Sequence, residues 1–276
     1  MASAAAAFRS LHDSGCFVLP NPWDAGSAVY LHRLGFRALA TTSSGFAFSR
    51  GLPDAVQALP RDAVLAHVRE LAAATPLPLN ADYQNGYAHE PEGVAANVRL
   101  CVEAGAAGLS IEDATGEAAS PLYPRALAVE RVRAARAAID ATGVPAVLTA
   151  RCEAWLVGHP EPLRTALDRL VAFAEAGADC LFAPGVRDAD SIDSIVKAVA
   201  PKPVNVLISA PVAGLSLARL ADLGVRRVSV GSALARVAWG AFMRAARALA
   251  ETGSFDALAG AAPFSELDEL FRGRAP

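Results

Sequence analysis

The sequence predicts a (β/α)8 barrel followed by an additional C-terminal helical segment. Short apolar or β-branched runs recur along the 276 residues, and each is followed by a polar loop and an Ala-rich helical pattern. The runs are continuously apolar rather than alternating, as in strands of a parallel sheet buried on both faces. Eight such units in a chain of this length are typical of a barrel.

The eight predicted strands, in chain order, are 16–20, 37–42, 76–82, 108–113, 145–151, 179–184, 203–207 and 226–231. Helical patterns connect them at 25–35, 61–75, 91–105, 126–143, 161–177, 189–200 and 216–224; an eighth covers 232–255, and the tail 263–273 has the pattern of a short amphipathic helix. Several helices end on a glycine suited to a left-handed C-cap: Gly35, Gly105, Gly143, Gly177 and Gly224. A doubly wound sheet is the alternative, but the loop "PNPWDAG" after the first strand is not the GxGxxG of dinucleotide-binding folds.

Composition excludes several classes of protein. The net charge of −3 and the lack of a basic stripe argue against nucleic-acid binding. No uninterrupted apolar run is long enough for a membrane span, and the N-terminal segment lacks the features of a signal peptide. Cys16, Cys101, Cys152 and Cys180 lie far apart without metal-site spacing, so we expect free thiols and a cytoplasmic location.

Residues 1–276 are expected to form a single barrel domain, with helices at 240–276 packing on a partner subunit.

Polar residues follow the strands where a barrel carries its chemistry, at the carboxyl ends. They are Asn21, Asp24, residues 41–45, Asp82, Glu112, Asp113, Arg151, Glu153, Asn205 and Ser209. Asp82 and Glu112 end neighbouring strands, and carboxylate oxygens without His or Cys suit Mg²⁺ or Mn²⁺. Arg151 follows on the next strand, where a guanidinium can bind a carboxylate through two hydrogen bonds. The alternative is that these are loop residues and a structural ion pair.

This set of residues suits a small 2-oxo acid whose keto oxygen and carboxylate bind the metal. Breaking a bond to C3 would then produce an enolate, whose charge the metal and Arg151 would stabilise. Asp24 is expected to cap a helix, and Tyr123 is expected to pack within its loop, with contact to substrate as the alternative. Glu153 could orient Arg151, and Arg226 and Arg227 are interpreted as a solvated strand start without function.

The chain resembles the isocitrate lyase / phosphoenolpyruvate mutase superfamily over nearly its whole length. "DYQNGYA" is similar to the family's metal motif DxDxGYG, "SIED" to its fourth strand, and "TARCEAWLVG" to its ARxE stretch. The resemblance implies that Asp82 binds Mg²⁺ directly, that Glu112 acts near the metal through water, and that Arg151 stabilises the substrate. "TTSSGFA" implies that Ser44, Gly45 and Phe46 hold a substrate carboxylate; "RGLPD" places Asp54 near the metal, and "PVNVL" places Asn205 near the substrate. Family members commonly form dimers or tetramers that exchange the eighth helix, so we expect a homodimer or homotetramer.

Two departures from the family pattern bear on the reaction. Gln84 stands where the motif has its second aspartate, which makes the metal site less anionic. The loop "DATGEAASPLYPRA" (113–126) lacks the catalytic Cys of the isocitrate lyases and the Lys and Asn of the mutases. We therefore favour a Mg²⁺-dependent lyase or decarboxylase of the oxaloacetate decarboxylase-like branch. A phosphonopyruvate-type mutase or hydrolase, and a 2-oxo acid binding protein with decayed catalysis, remain as alternatives.

Overall fold

The computed structural model describes residues 3–55 and 58–272. Eight parallel strands form one sheet in the order β1-β8-β7-β6-β5-β4-β3-β2. The strands are β1 Phe17–Leu19, β2 Leu39–Ala40, β3 Leu79–Asp82, β4 Gly108–Glu112, β5 Val147–Arg151, β6 Cys180–Phe182, β7 Val204–Leu207 and β8 Arg227–Ser229. Each strand lies within its predicted run, so the predicted (β/α)8 fold is confirmed.

Helices follow the strands around the barrel. They are α1 Ala4–Ser10, α2 Ala25–Arg33, α3 Ser43–Ser49, α4 Arg61–Ala74, α5 Pro91–Glu103, α6 Arg125–Ala141, α7 Pro162–Glu175, α8 Ala189–Val199, α9 Leu217–Asp222, α10 Ala233–Thr252 and α11 Phe264–Phe271, with a 3-10 turn at Asp256–Gly260. All five predicted C-cap glycines have positive φ, between 71° and 103°. Asp24 caps α2 as expected, because its carboxylate accepts the N–H of Ser27 at 2.7 Å. No described helix has the length and apolarity needed to cross a bilayer.

The barrel is nearly closed, with a seam between β1 and β2. The hydrogen-bonded sheet begins at β1 and ends at β2. Ala40 N–H donates to Pro20 O at 3.0 Å across the seam. Asn21 reinforces it at the rim: its Nδ2 donates to Thr41 O, and its Oδ1 accepts the N–H of Gly231 at 2.8 Å, so this one side chain joins β1, β2 and the end of β8.

Helix α1 covers the opposite, N-terminal end of the barrel. Phe8 is fully buried and stacks edge-on against Phe17 of β1. Arg9 donates to Asp179 at 2.9 Å and to the carbonyl of Ala146, just before β5. Because this end is filled with apolar side chains, the open end lies at the carboxyl termini of the strands.

The C-terminal helices contribute little to the core. Ala235 is the buried residue of α10, whereas Val237 is 70% exposed and Phe242 61% exposed. Helix α11 lies against α2, where Arg33 Nη2 donates to Glu269 O at 3.2 Å. The predicted tail helix therefore packs on this chain's own barrel; Gly273 and the positions beyond it lie outside the described residues.

Candidate active site

A cavity of about 200 Å³ opens at the carboxyl ends of the strands. Of the residues expected to form the site, Ser44, Asp54, Asp82, Arg151 and Asn205 line it. Glu112 lies behind Arg151 and is 8% exposed. Other polar residues that line the cavity are Asn21, Thr41, Thr42, Ser43, Asn80, Ser110, Ser209, Arg227, Ser229, Ser232 and Arg236.

Asp82 ends β3 and joins two parts of the site. Its Oδ2 accepts the N–H of Ser43 in the first turn of α3, and its Oδ1 accepts from Arg151 Nη1, both at 2.9 Å. Its own N–H donates to Thr41 Oγ1 at 2.8 Å. Asp82 therefore connects the start of α3, the end of β2 and Arg151 through one carboxylate and its own N–H.

Arg151 lies between three carboxylates. Nη1 contacts Glu112 Oε1 at 2.7 Å as well as Asp82, and Nε donates to Glu153 Oε1 at 2.9 Å. Glu153 is 4% exposed, and its backbone N–H donates to Asp113 Oδ1. The hypothesis that Glu153 orients Arg151 is thus consistent with the geometry, since a guanidinium bonded at both Nε and Nη1 cannot rotate.

Burial and mutual repulsion shift the pKa values of the carboxylates around Arg151. Burial raises the pKa of Glu112 well above its usual range, and Glu153 and Asp82 raise it further, while Arg151 opposes the shift. Burial also raises the pKa of Glu153. At the mouth of the cavity, desolvation and then Asp82 raise the pKa of Asp54. Burial alone would lower the pKa of Arg151, but the carboxylates around it raise it overall.

The chemistry of these donors fits a hard divalent cation. In the described part of the chain, no three His, Cys, Asp or Glu side chains are arranged to enclose an ion by themselves. Asp82 and Asp54 nevertheless line the same cavity with carboxylate oxygens, and Glu112 lies behind them against Arg151. Mg²⁺ commonly binds through one or two carboxylates and keeps several waters, so this donor set fits the ion.

Gly45 and Phe46, two of the three residues expected to hold a substrate carboxylate, are not among the residues that line the cavity. The N–H of Gly45 donates to Thr42 Oγ1, and the N–H of Phe46 to Thr42 O, so both are used within the helix start. The Phe46 ring is buried against His67, 3.8 Å away between ring centroids, outside the cavity. Ser44 lines the cavity as expected, and Ser43 joins it there.

The metal-motif turn after β3 has a strained backbone. Gln84 and Tyr87 have φ of +44° and +56°, in the left-handed region that few residues other than glycine adopt. The carbonyl of Gln84 accepts the N–H of Glu112 at 2.9 Å, which links the turn to the end of β4. Strain of this kind occurs where surrounding contacts hold a functional turn in place. Burial raises the pKa of Tyr87, and the nearby charges of Asp82 and Glu112 raise it further.

Arg227 is the main residue that the sequence interpretation missed. The sequence analysis interprets Arg227 as part of a solvated strand start without function, but it is 2% exposed and lines the cavity. Its Nε donates to Asn205 Oδ1 at 2.9 Å, and Asn205 Nδ2 donates to Ser229 Oγ at 3.0 Å. The correction follows from strand geometry: side chains two residues apart on a strand share a face, so Arg227 points inward with Ser229.

The loop 113–126 is folded against the barrel. Ala114 forms an antiparallel bridge with Leu122, and Tyr123 is 3% exposed. The Tyr123 hydroxyl bonds His89 Nδ1 at 2.8 Å, outside the cavity. Tyr123 thus has the packing role expected of it, although its partners His89 and Arg131 lie outside its own loop.

The fold and the rim of carboxylates around an arginine define the class of the protein: it is a (β/α)8-barrel enzyme. The sequence model for phosphoenolpyruvate phosphomutase matches residues 8–250. The chain therefore belongs to the PEP mutase family, within the isocitrate lyase / PEP mutase superfamily.

Among curated proteins, the chain is 35% identical to an uncharacterised protein of Mycobacterium tuberculosis, covering 94% of both chains. It is 33% identical to an oxaloacetate decarboxylase of Rhodopseudomonas palustris, covering 74% of this chain and 70% of that protein. A putative lyase/mutase from Burkholderia cenocepacia superposes with a TM-score of 0.93 at 50% identity, covering 97% and 96% of the two chains. Oxaloacetate acetylhydrolase in complex with oxalate superposes with a TM-score of 0.86 at 26% identity, covering 97% and 93%.

Proposed function

We propose that the protein is a Mg²⁺-dependent carbon–carbon lyase or decarboxylase that acts on a small 2-oxo or 2-hydroxy di-acid through an enolate. The observation that carries the proposal is Arg151, which faces the cavity while Asp82, Glu112 and Glu153 fix its orientation. Relatives named as an oxaloacetate decarboxylase and an oxaloacetate acetylhydrolase support this substrate class.

Asp82 is the proposed direct ligand of Mg²⁺ or Mn²⁺, with Asp54 and Glu112 acting through bound water. Asp82 and Asp54 line the same cavity, and Glu112 lies behind them against Arg151. When bound, the ion would supply a Lewis acid that draws electrons towards the 2-oxo oxygen. The amide in Gln84 leaves one negative charge fewer than the family motif, which a substrate carboxylate would replace.

Arg151 performs the electrostatic part of the reaction. A guanidinium already held by Glu153 can stabilise developing enolate charge without reorienting during the reaction. The Ser44 hydroxyl, which lines the cavity beside Asp82, would donate to a carboxylate of the substrate. The buried lower part of the cavity, with Asn205, limits the ligand to a few carbon atoms.

Decarboxylation needs the least from the protein after the bond breaks, because water can protonate the enolate. The loop 113–126 contains no Cys, Lys, His or Asn to act as an acid or to contact a phosphoryl group. Tyr123, the polar aromatic residue of that loop, is buried away from the cavity. These features favour a decarboxylase or a simple lyase over phosphoryl transfer.

The test is a panel of 2-oxo and 2-hydroxy di-acids assayed with Mg²⁺ and with EDTA. We expect metal-dependent turnover of at least one di-acid, and a loss of at least about a hundredfold in Asp82→Ala, the scale of a group acting directly on the charge that develops. Asp168→Ala, which removes an exposed carboxylate on α7, is the matched control. Undiminished turnover by Asp82→Ala would overturn the proposed site. Tight Mg²⁺-dependent binding of oxalate without any turnover would instead identify a binding protein.

The proposed assembly is a homodimer or homotetramer that covers α10. Trp239, Phe242 and Met243 are at least 40% exposed on this helix, and exposed apolar side chains grouped in this way mark protein–protein contact surfaces. The molar mass measured by light scattering should be a multiple of 28.5 kDa, and Phe242→Glu should lower that mass towards the value for the monomer. A monomeric wild-type protein would contradict this assembly.

A further inference from the structure

The interior of this barrel is polar below the rim. Side chains that line the lower cavity include Asn80 and Ser110, each two residues before a carboxylate at the rim. Such positions in (β/α)8 barrels are dominated by branched apolar residues that fill the interior. Here the cavity instead reaches down to Arg227, near the level where Asn205 pairs with it across β7 and β8.

Within the described residues, the groups that bond Arg227 are all uncharged. Nε donates to Asn205 Oδ1 and Nη2 to Thr149 Oγ1, both at 2.9 Å, and Nη1 lies 3.3 Å from His12 Nε2. His12 is neutral: burial, and then Arg227, lower its pKa to about 3. Its Nδ1 donates to Phe8 O, which leaves Nε2 as an acceptor for the guanidinium. No Asp or Glu in residues 3–55 and 58–272 forms an ion pair with Arg227.

The charges of the other buried arginines are compensated by nearby carboxylates or carbonyl groups. Arg151 contacts three carboxylates, and Arg169 contacts Asp113 at 2.9 Å. Arg131 lacks a carboxylate, but its guanidinium donates to three backbone carbonyls and covers the Tyr123 ring, away from the cavity. Arg227 combines full burial, neutral partners and contact with an open cavity. A buried cation in this setting favours an anion beside it.

The hydrogen bonds of Arg227 also fix the polarity of Ser229. Because Nε–H occupies Asn205 Oδ1, the amide must direct Nδ2 towards Ser229 Oγ, at 3.0 Å. Ser229 Oγ therefore accepts from Asn205, and its own proton is left to donate into the cavity that it lines. The hydrogen bonds from the Arg227 guanidinium to the Asn205 amide and from there to the Ser229 hydroxyl thus leave a donor directed into the cavity.

We propose that Arg227, acting through Asn205 and Ser229, makes the lower cavity a binding position for the second carboxylate of a di-acid. The inference rests on the proposed function for the other end of the ligand, the 2-oxo or 2-hydroxy acid group at Asp82 and Arg151. Arg227 is a positioning residue for this reaction, and it selects dianions over monoanions of equal length.

The test measures calorimetric affinities for three ligands in the presence of Mg²⁺. Oxalate reaches only the rim. Malate and 2-hydroxybutyrate share the 2-hydroxy acid group and the four-carbon length, and only malate carries the second carboxylate. We expect the wild-type protein to bind malate about tenfold or more tightly than 2-hydroxybutyrate, the scale of a hydrogen bond to a charged group.

Two variants test the residues that carry the preference. Arg227→Met removes the cation, and Asn205→Asp supplies it with a permanent carboxylate while keeping the size of the side chain. In both variants, the ratio of malate affinity to 2-hydroxybutyrate affinity should fall to about twofold or less. The affinity of each variant for oxalate should change by a smaller factor than this ratio does. Asn205→Asp should also unfold at an equal or higher temperature, an effect that loss of a merely structural contact would not give. Arg131→Met is the control for removal of a buried arginine, and it should keep the wild-type preference.

Each outcome separates the two proposals. If the protein binds oxalate and both variants still prefer malate to 2-hydroxybutyrate as the wild type does, the role of Arg227 is overturned and the proposed function stands. A wild-type protein that binds oxalate but does not distinguish malate from 2-hydroxybutyrate also overturns it. If none of the three ligands binds with Mg²⁺, both the proposed function and the second-carboxylate position are wrong.

Discussion

Replacing Arg151 by Met should destabilise the protein far more than removing an arginine from an equally short ion pair at the surface. The guanidinium of Arg151 contacts Asp82, Glu112 and Glu153 at 2.7–2.9 Å, and the exposed fractions of these three side chains are only 17%, 9% and 6%. Removing the cation leaves buried carboxylates without a partner, which typically costs about 3–5 kcal/mol.

The comparison is Arg125→Met. Arg125 Nε lies 2.7 Å from Asp168 Oδ2, but the two side chains are 50% and 58% exposed. Exposed pairs are screened by water and salt, so this substitution should cost less than about 1 kcal/mol. Distance alone would rank the two pairs as equals, and burial separates them.

The assay is urea denaturation at pH 8 with EDTA, so that no divalent ion replaces the missing charge. If Arg151→Met does not yield folded protein, Arg151→Lys serves in its place, because it keeps the charge but cannot bond Glu153 and Asp82 together; about 1.5–3 kcal/mol is expected. A loss for Arg151→Met within about 1 kcal/mol of that for Arg125→Met would refute the reasoning, since burial would then have no measurable effect.

Three further predictions concern residues outside the reacting centre. Burial and Arg227 lower the pKa of His12 to about 3, so the contribution of the neutral ring to stability is complete above pH 6.5 and is lost as the pH falls. The free energy of unfolding should therefore fall by about 2 kcal/mol between pH 6.5 and pH 5. In denaturation experiments over this pH range, His12→Gln should remove that loss. Tyr123→Phe, which deletes the hydroxyl that bonds His89, should lower stability by about 1 kcal/mol with kcat and KM unchanged in steady-state assays. Asp24→Ala should lower the free energy of unfolding by about 1 kcal/mol through loss of the α2 cap.

Contrary results would be equally specific. A stability curve of His12→Gln that parallels the wild type below pH 6.5 would show that this ring is not held neutral. A fall in kcat for Tyr123→Phe would return the loop tyrosine to the catalytic residues. Glu266→Ala, on the exposed first turn of α11, is a surface control for the cap substitution and should change stability by less than about 0.5 kcal/mol.

The barrel could be predicted from the sequence because each strand lies in a short run rich in apolar or β-branched residues and several helices end on a left-handed glycine. The sequence pattern does not predict helix α3, because "SSGFAFS" is short and contains glycine. Its start is stabilised by the contact of the Ser43 N–H with Asp82, which is remote in sequence. The packing of α11 on α2 likewise depends on tertiary contact.

At the site, the residues at strand ends could be recognised by their position alone, whereas those inside the barrel could not. Arg227 begins its strand beside another arginine, and a pair of charges at a strand start is typical of solvent. Alternation along the strands was the available signal: Asn80 and Ser110 precede Asp82 and Glu112 by two residues and share their inward face. The N–H groups of Gly45 and Phe46 donate to Thr42 because they lie in α3, a helix that the sequence pattern did not predict.

The seam between β1 and β2 gives the rim a place to widen without breaking a strand ladder. Asn21 holds the ends of β1, β2 and β8 together there with a single amide. Ser43 and Ser44, which follow β2, line the same cavity as Ser232 and Arg236, which follow β8. Asn21 thus links the parts of the rim that carry these residues, and amide hydrogens along this seam should exchange with solvent before those of any other strand pair.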